Sequence, residues 1–288
     1  MKHFIDISEL SAQDVLDILS VSKQIKLNGS NCLSNKSVGL IFEKPSNRTR
    51  LSFEVGVNQL GGQPLYIKGD EIQMGTREPV SHVSRVMSRY VDMLMYRTTD
   101  HLKLLELAEF SSVPVINGLS NVSHPCQAMA DALTIQNEFG SFDDVFLTYI
   151  GDGNNVCQSL MEISEKCGFK MAVVCPSKYA PINAPDSVII TDSLDDVIVK
   201  TNVIYTDVWV SMGDEAQADE RLSDFFDYQV NMEVLSKAQS NCIFLHCLPA
   251  NIGQEVTNDV FESDQSKVFD QAENRLHAQN GVMAWLNI

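Results

Sequence analysis

Basic residues are scarce in this chain. Over 288 residues, 21 Lys and Arg stand against 38 Asp and Glu, a formal net charge of −17. That balance argues against nucleic acid or an anionic membrane as a partner, because both demand positive surface. An anionic ligand would need a local basic pocket set in an acidic surface. The seven cysteines (Cys32, Cys126, Cys157, Cys167, Cys175, Cys242, Cys247) are odd in number, and no CxxC pair occurs. Reduced, buried thiols in a cytoplasmic protein are the expectation. The six histidines show no HxxxH or HxH spacing, so no metal site is expected. No apolar run approaches the roughly 20 residues of a membrane span. Asp6 and Glu9 interrupt the first residues, which therefore do not read as a signal peptide. Internal repeats and low-complexity segments are absent from the sequence.

What is present is ordinary globular material, 44% hydrophobic and 20% charged, enough for two domains or one large one. Its most informative stretch runs from Phe42 to Glu54. The apolar run Val38 to Phe42 reads as a buried strand stopped by Pro45, which cannot donate to a sheet ladder. Ser46 is a good N-cap for a helix carrying Leu51, Phe53, Val55, Val57 and Leu60 and ending at Gly61-Gly62. Arg48 and Arg50 then sit at a helix start, where free backbone N–H groups and the dipole both favour an anion. Their fork-shaped donors suit phosphate or carboxylate. The bland alternative is a charged first turn facing water, which the dipole disfavours.

Strand and helix patterns alternate along the rest of the chain, which predicts an α/β fold with parallel sheets. A helix opens at Ser11 and closes near Gly29. Strands are expected at Gln63–Ile67, Val91–Tyr96 and Val113–Ile116, with helices at Val80–Tyr90 and His101–Phe110. A polar loop, Lys68 to Glu78, is long enough to be functional. His124-Pro125-Cys126-Gln127 begins a helix running to Phe139, and a domain boundary is expected close behind it. A second series follows, with strands at Val145–Ile150, Met171–Cys175, Val188–Ile190, Val203–Thr206 and Cys242–His246. Helices are expected after Asn155, over Leu194–Lys200, Glu220–Phe226 and Met232–Ala238, and finally over Gln271–Leu286. In such sheets ligands gather beyond the carboxyl ends of the strands, where Ser46, Arg97 and the segment after Ile116 fall.

Single residues stay ambiguous at this level. Gly151-Asp152-Gly153 after a strand hints at a dinucleotide, but a G-x-G-x-x-G turn needs a third glycine where Val156 stands. His246 and Cys247 are adjacent on a strand and point to opposite faces, so they do not form a thiol–base pair. His124, Asn155 and Asp207 each have a helix-cap or turn reading beside the functional one.

Three motifs together resolve this. Ser46-Asn47-Arg48-Thr49-Arg50, His124-Pro125-Cys126-Gln127 and His246-Cys247-Leu248-Pro249 stand in the order and spacing of the aspartate/ornithine carbamoyltransferases, and the resemblance covers essentially the whole chain. Gly151 to Asn155, Asp207-Val208-Trp209-Val210-Ser211-Met212-Gly213 and Cys247-Leu248 look like the ornithine branch. The resemblance implies transfer of the carbamoyl group of carbamoyl phosphate to the δ-amine of L-ornithine, giving citrulline and phosphate, in arginine metabolism. It implies no metal and no organic cofactor. It also implies two doubly wound parallel-sheet α/β domains bridged by two helices, with the active site in the interdomain cleft. One domain, for carbamoyl phosphate, would span residues 1–136 completed by helix 271–288, and the ornithine domain 137–270. The expected assembly is a homotrimer or a multiple of it, in the cytoplasm.

By resemblance, Ser46, Arg48, Thr49 and the backbone of Asn47 bind the phosphate. Arg97, His124 and Thr49 hold the carbonyl oxygen, while Gln127, Leu248 and Arg275 address the carbamoyl end, and Gln73 matches a further family contact. Asn155, Asp207, Ser211 and Met212 match ornithine-binding positions, with Cys247 beside them, and the Ser211–Gly213 loop is the candidate lid. Where the family commonly has threonine this chain has Asn47, a position that acts largely through its backbone N–H. Two alternatives stand beside this reading. One is a carbamoyltransferase for another amine, such as putrescine or an acylated ornithine. The other is a catalytically silent paralogue, which would bind a bisubstrate analogue without turnover.

Overall fold

Strands buried on both faces carry near-continuous apolar runs, and the parallel sheets they form must be covered by helices. The computed structural model describes residues 1–211 and 215–287, which fall into two compact units, 1–130 with 274–288 and 131–273. Among the described residues no helix is long and apolar enough to cross a membrane.

The first unit contains α1 (Ala12–Asn28), β1 (Ser37–Phe42), α2 (Asn47–Gln59), β2 (Gln63–Lys68), α3 (Gly69–Ile72), α4 (Val80–Met87), β3 (Met93–Arg97), α5 (His101–Phe110) and β4 (Val115–Leu119). Its strands pair in parallel in the order β2-β1-β3-β4. The chain winds one way from β1 to β2 and the other way from β3 to β4, so the topological switch lies between the ends of β1 and β3. Phe4 bridges to Ile116 beside β4. Ile41, Leu94, Tyr96, Leu104, Leu107 and Val115 form one face of its core.

Helix α6 (Pro125–Phe139) leads into the second unit and α11 (Val268–Leu286) leads out of it, so the division falls inside two continuous helices. The second unit holds β5 (Phe146–Ile150), α7 (Asn155–Cys167), β6 (Lys170–Val174), β7 (Ile189–Thr191), β8 (Val203–Thr206), α8 (Ala218–Asp224), α9 (Met232–Lys237), β9 (Ile243–His246) and α10 (Asn258–Phe261). Its parallel order is β7-β6-β5-β8-β9, with the switch between β5 and β8. Ile150, Ala172, Val174, Ile204 and Phe244 anchor its core.

Local signals set many boundaries. Ser11 forms a reciprocal capping box with Asp14 at α1, and Asp100 and Asn154 cap α5 and α7. Three expectations are corrected. Leu194–Lys200 is not one α-helix but two 3-10 turns broken at Val197, whose φ of −127° is not helical. Strand β4 runs on to Leu119, through polar Asn117, because the buried Asn117 amide donates to the Ile5 carbonyl (2.9 Å) and the Ser123 hydroxyl (3.1 Å). The Lys68–Glu78 loop contains the short α3. No disulfide joins any of the seven cysteines, all within the described residues, and four of them are buried. Burial pushes the Cys126 and Cys242 thiols up to about 12, so they are inert as nucleophiles.

Candidate active site

The first switch point is a basic pocket. Ser46 caps α2 by accepting from the Thr49 amide (3.3 Å), which leaves the other first-turn N–H groups without an intrahelical acceptor. Thr49 itself is buried, and Arg97 Nη1 (3.0 Å) and Arg275 Nη2 (3.3 Å) both donate to its Oγ1. A hydroxyl has two lone pairs and one proton, so with both lone pairs taken the remaining capacity of Thr49 is to donate. Arg275 Nη1 also donates to Gln127 Oε1 (2.8 Å), tying α11 to the first turn of α6. Arg97, His124, Gln127 and Arg275 are all buried.

His124 reports the convergence of these groups. Burial, then the charges of Arg275, Arg97 and Arg48, hold its imidazole well below the ordinary histidine range. It is therefore a neutral donor in a cluster of fixed cations. The reach of Arg275 depends on close packing of α11 on α2: a side chain at Gly56 would collide with Asn280 Oδ1.

A carboxylate outside this cluster orders the strand ends. Glu43 accepts from Tyr96 Oη (2.6 Å), Thr98 Oγ1 (2.5 Å) and Lys103 Nζ (3.4 Å), and its amide donates to the Arg97 carbonyl (3.0 Å). Both neighbours of Arg97 are thus fastened to the end of β1.

One residue read as part of this pocket behaves otherwise. Arg50 turns away, pairing with Glu54 (3.0 Å) and lying 3.8 Å over the Tyr66 ring. Positions 48 and 50 are two residues apart on a helix and do not share a face. Gln73 is exposed at φ 47°, and its hydrogen bonds run through its backbone to Gly69, Thr76 and Arg77. The two guanidiniums on Thr49 are those of Arg97 and Arg275.

The second switch point is built around an acid. Asp207 follows β8 and is buried, and its Oδ2 accepts from Asn154 Nδ2 (2.9 Å). The same amide lies 3.4 Å from Ser211 Oγ, while Asn154 Oδ1 caps α7 by accepting from the Val156 and Cys157 amides. Cys247 donates its thiol to Asp207 Oδ1 at 3.0 Å. Leu248 follows at φ 62°, a conformation uncommon for a residue with a side chain, before a cis bond to Pro249. Met212 and Gly213 of the expected lid lie outside the described residues.

Both halves agree with what known proteins show. Residues 2–137 match the model of the aspartate/ornithine carbamoyltransferase carbamoyl-P binding domain, and residues 143–286 match that of the family's Asp/Orn binding domain. The chain belongs to the aspartate/ornithine carbamoyltransferase family. Among its relatives is an ornithine carbamoyltransferase of Methanobrevibacter smithii, 46% identical over 284 residues and 94% of each chain. Another, from Methanothermobacter thermautotrophicus, is 44% identical over 299 residues and 99% of each. Of the solved structures, the ornithine carbamoyltransferase of Pyrococcus furiosus superposes with a TM-score of 0.93 at 42% identity, covering 98% of this chain and 96% of that one. The Thermus thermophilus enzyme gives 0.92 at 36% identity, covering 100% and 99%.

Within this carbamoyltransferase frame, Asn154 carries a contact that sequence reading did not single out beside its neighbour Asn155. Asn155 is the first residue of α7, whereas Asn154 both caps that helix and holds Asp207. An Asn before a helix is a visible cap signal, but its second contact, 53 residues away, is not. The Gly151-Asp152-Gly153 turn also has a packing reason. A side chain at Gly153 would sit 2.5 Å from Pro181 N and 2.7 Å from the Tyr179 carbonyl. His246 and Cys247 take different partners: His246 engages Glu255 through Nε2 (3.1 Å) and accepts from the Leu248 amide at Nδ1 (2.9 Å), while Cys247, just past the end of β9, bonds Asp207. Atoms of Asp207, His246 and Cys247 lie within 4.8 Å of one another. Both imidazole nitrogens are already engaged, so this trio does not fit a metal centre.

Proposed function

We infer that this protein transfers the carbamoyl group of carbamoyl phosphate to the δ-amine of L-ornithine, releasing L-citrulline and phosphate. The observation that carries the reading is that one unit holds a buried, arginine-held hydroxyl at its switch point and the other unit a buried, amide-held carboxylate at its own. The first suits an anion and a carbonyl oxygen, the second an α-ammonium. Relatives named ornithine carbamoyltransferase, 43–46% identical over nearly the full chain, support it.

The first unit, with its anion-ready helix start, is assigned to carbamoyl phosphate, and the second to ornithine. Ser46, the Asn47 amide, Arg48 and Thr49 receive the phosphate. Arg97, His124 and the Thr49 proton address the carbonyl oxygen. As the amine attacks the carbonyl carbon, negative charge grows on that oxygen, and one key donor of this kind is worth about 3–4 kcal/mol. A neutral His124 donates there without adding a further buried cation to Arg97 and Arg275. Gln127, Arg275 and Leu248 are assigned to the carbamoyl end, with Gln73 a further contact. Arg48 and the start of α2 stabilise the departing phosphate. Asp207, with Asn155, Ser211, Met212 and Cys247, takes the amino-acid end of ornithine and leaves the δ-amine free to lose its proton. Holding both substrates supplies much of the remaining rate. A homotrimer in the cytoplasm, working in arginine metabolism, completes the proposal.

The test is citrulline formation from carbamoyl phosphate and ornithine, beside putrescine, N-acetylornithine and aspartate. Turnover only with ornithine supports the reading. Preference for putrescine would remove the role given to Asp207.

A further inference from the structure

Arg221 lies on α8, outside every motif the sequence singled out, yet it is among the most enclosed charges of the second unit at 8% exposure. Its Nη1 meets Asp152 Oδ2 at 2.9 Å and donates to the Trp209 carbonyl at 3.3 Å. Its guanidinium lies 4.9 Å from the centre of the Tyr179 ring. Asp152 is 7% exposed, and its carbonyl accepts from the Asn154 amide at 2.7 Å. Trp209 stands midway between Asp207 and Ser211, and its ring stacks on Phe225 at 5.9 Å. One guanidinium therefore binds the turn that carries Asn154 and the loop that carries Asp207 and Ser211. These are the two strand-end segments flanking the second switch point. Asp152 and the Trp209 carbonyl are both reached from the same Nη1, so one nitrogen ties the two segments together.

We propose that Arg221 is a positioning residue for the amino-acid substrate: it locks the β5 and β8 end loops in the register that brings Asn154, Asp207 and Ser211 together. This rests on the ornithine reading above. A purely structural ion pair would matter only because an uncompensated charge is costly when buried. A positioning role would persist after both charges are removed, because the bridge to Trp209 is lost as well.

The deciding variant is the double change Arg221→Met with Asp152→Asn, which leaves no buried charge unpaired and no side-chain donor at position 221 for the Trp209 carbonyl. It is expected to melt near wild type. Its KM for ornithine should rise about tenfold, the equivalent of about 1.4 kcal/mol, while direct carbamoyl phosphate affinity stays within about twofold. Return of the ornithine KM to the wild-type value, or equal weakening toward both substrates, would overturn the proposal. Amide exchange supplies a readout that needs no turnover. Faster exchange at residues 152–157 and 207–211, with residues 46–50 unchanged, is the expected result, and unchanged exchange in both regions would refute it. Wild-type protein that makes no citrulline would sink the ornithine reading alone, and the exchange result would then decide the role of Arg221.

Discussion

The two switch points share one architecture and differ in charge. In each, a parallel sheet reverses its winding, a strand end carries a charged side chain, and an N-capped helix starts alongside. At β1 and β3 the buried charges are guanidiniums converging on Thr49, with a depressed histidine among them. At β5 and β8 a buried Asp207 carboxylate is held by an amide and a thiol, beside the buried Asp152–Arg221 ion pair. The shared geometry makes each a place where a ligand can sit, and the strand-end residues decide its sign. The comparison also shows how each charge is held. Arg97 is fastened through Glu43 and the neighbours it grips, and Asp207 through Asn154, with Arg221 bracing both of its flanking loops.

This contrast can be broken one pole at a time. The largest effect is expected from Arg97→Ala, which removes a donor to Thr49 and the donor proposed for the developing oxyanion; kcat should fall about 10²- to 10³-fold. Rapid-quench or steady-state citrulline assays would check it, and a change confined to ornithine KM would contradict the division of labour. Next comes Asp207→Asn. Losing a charge-assisted bond worth about 1.5–3 kcal/mol should cut kcat/KM for ornithine roughly tenfold to a hundredfold. Carbamoyl phosphate affinity, measured by calorimetry, should hold.

A moderate effect is expected from pH. His124 is held far below its ordinary value of 6.5 and His3 is also lowered, both chiefly by burial. For such groups the unfolded chain binds protons that the folded chain refuses. Their stability contribution is therefore complete above the unfolded value and is lost as pH falls below about 6.5, by at most about 1.4 kcal/mol per pH unit for each proton. Melting curves between pH 8 and 5 would show it, and His3→Gln should shallow the slope, since His3 Nδ1 accepts from the Val115 amide (3.1 Å). A flat profile would mean that these imidazoles protonate in place. The smallest effect is expected from Asn47→Thr. Asn47 is exposed and Ser46 already caps the helix, so carbamoyl phosphate affinity should move by less than about 0.5 kcal/mol. A larger shift in a titration would give the Asn47 side chain a role that its exposure does not suggest.

Much of the first pocket was legible from sequence, because its parts are local. The cap at Ser46, the stop at Pro45 and the start of α6 at Pro125 all act over three or four residues. Arg50 was misread because two arginines close in sequence looked like one donor set, whereas helical geometry points them apart. Arg275 entered only through the family resemblance, since nothing around it in α11 marks it as a ligand of Thr49. Asn154, Glu43 and Arg221 were missed for the same reason: each looks like an ordinary cap or surface charge until its distant partner is known.

The sequence by itself determined the alternation of strand and helix, the caps that bound them and the family to which the motifs point. These follow from residue periodicity, backbone preference and hydrogen bonds between near neighbours. Tertiary structure alone decided which charges meet. Thr49 is reached by Arg97 from 48 residues away and by Arg275 from 226, and Asp207 by Cys247 from 40. No local rule spans such separations. Strand order and helix packing bring those groups together, and their burial sets the strength of what they do.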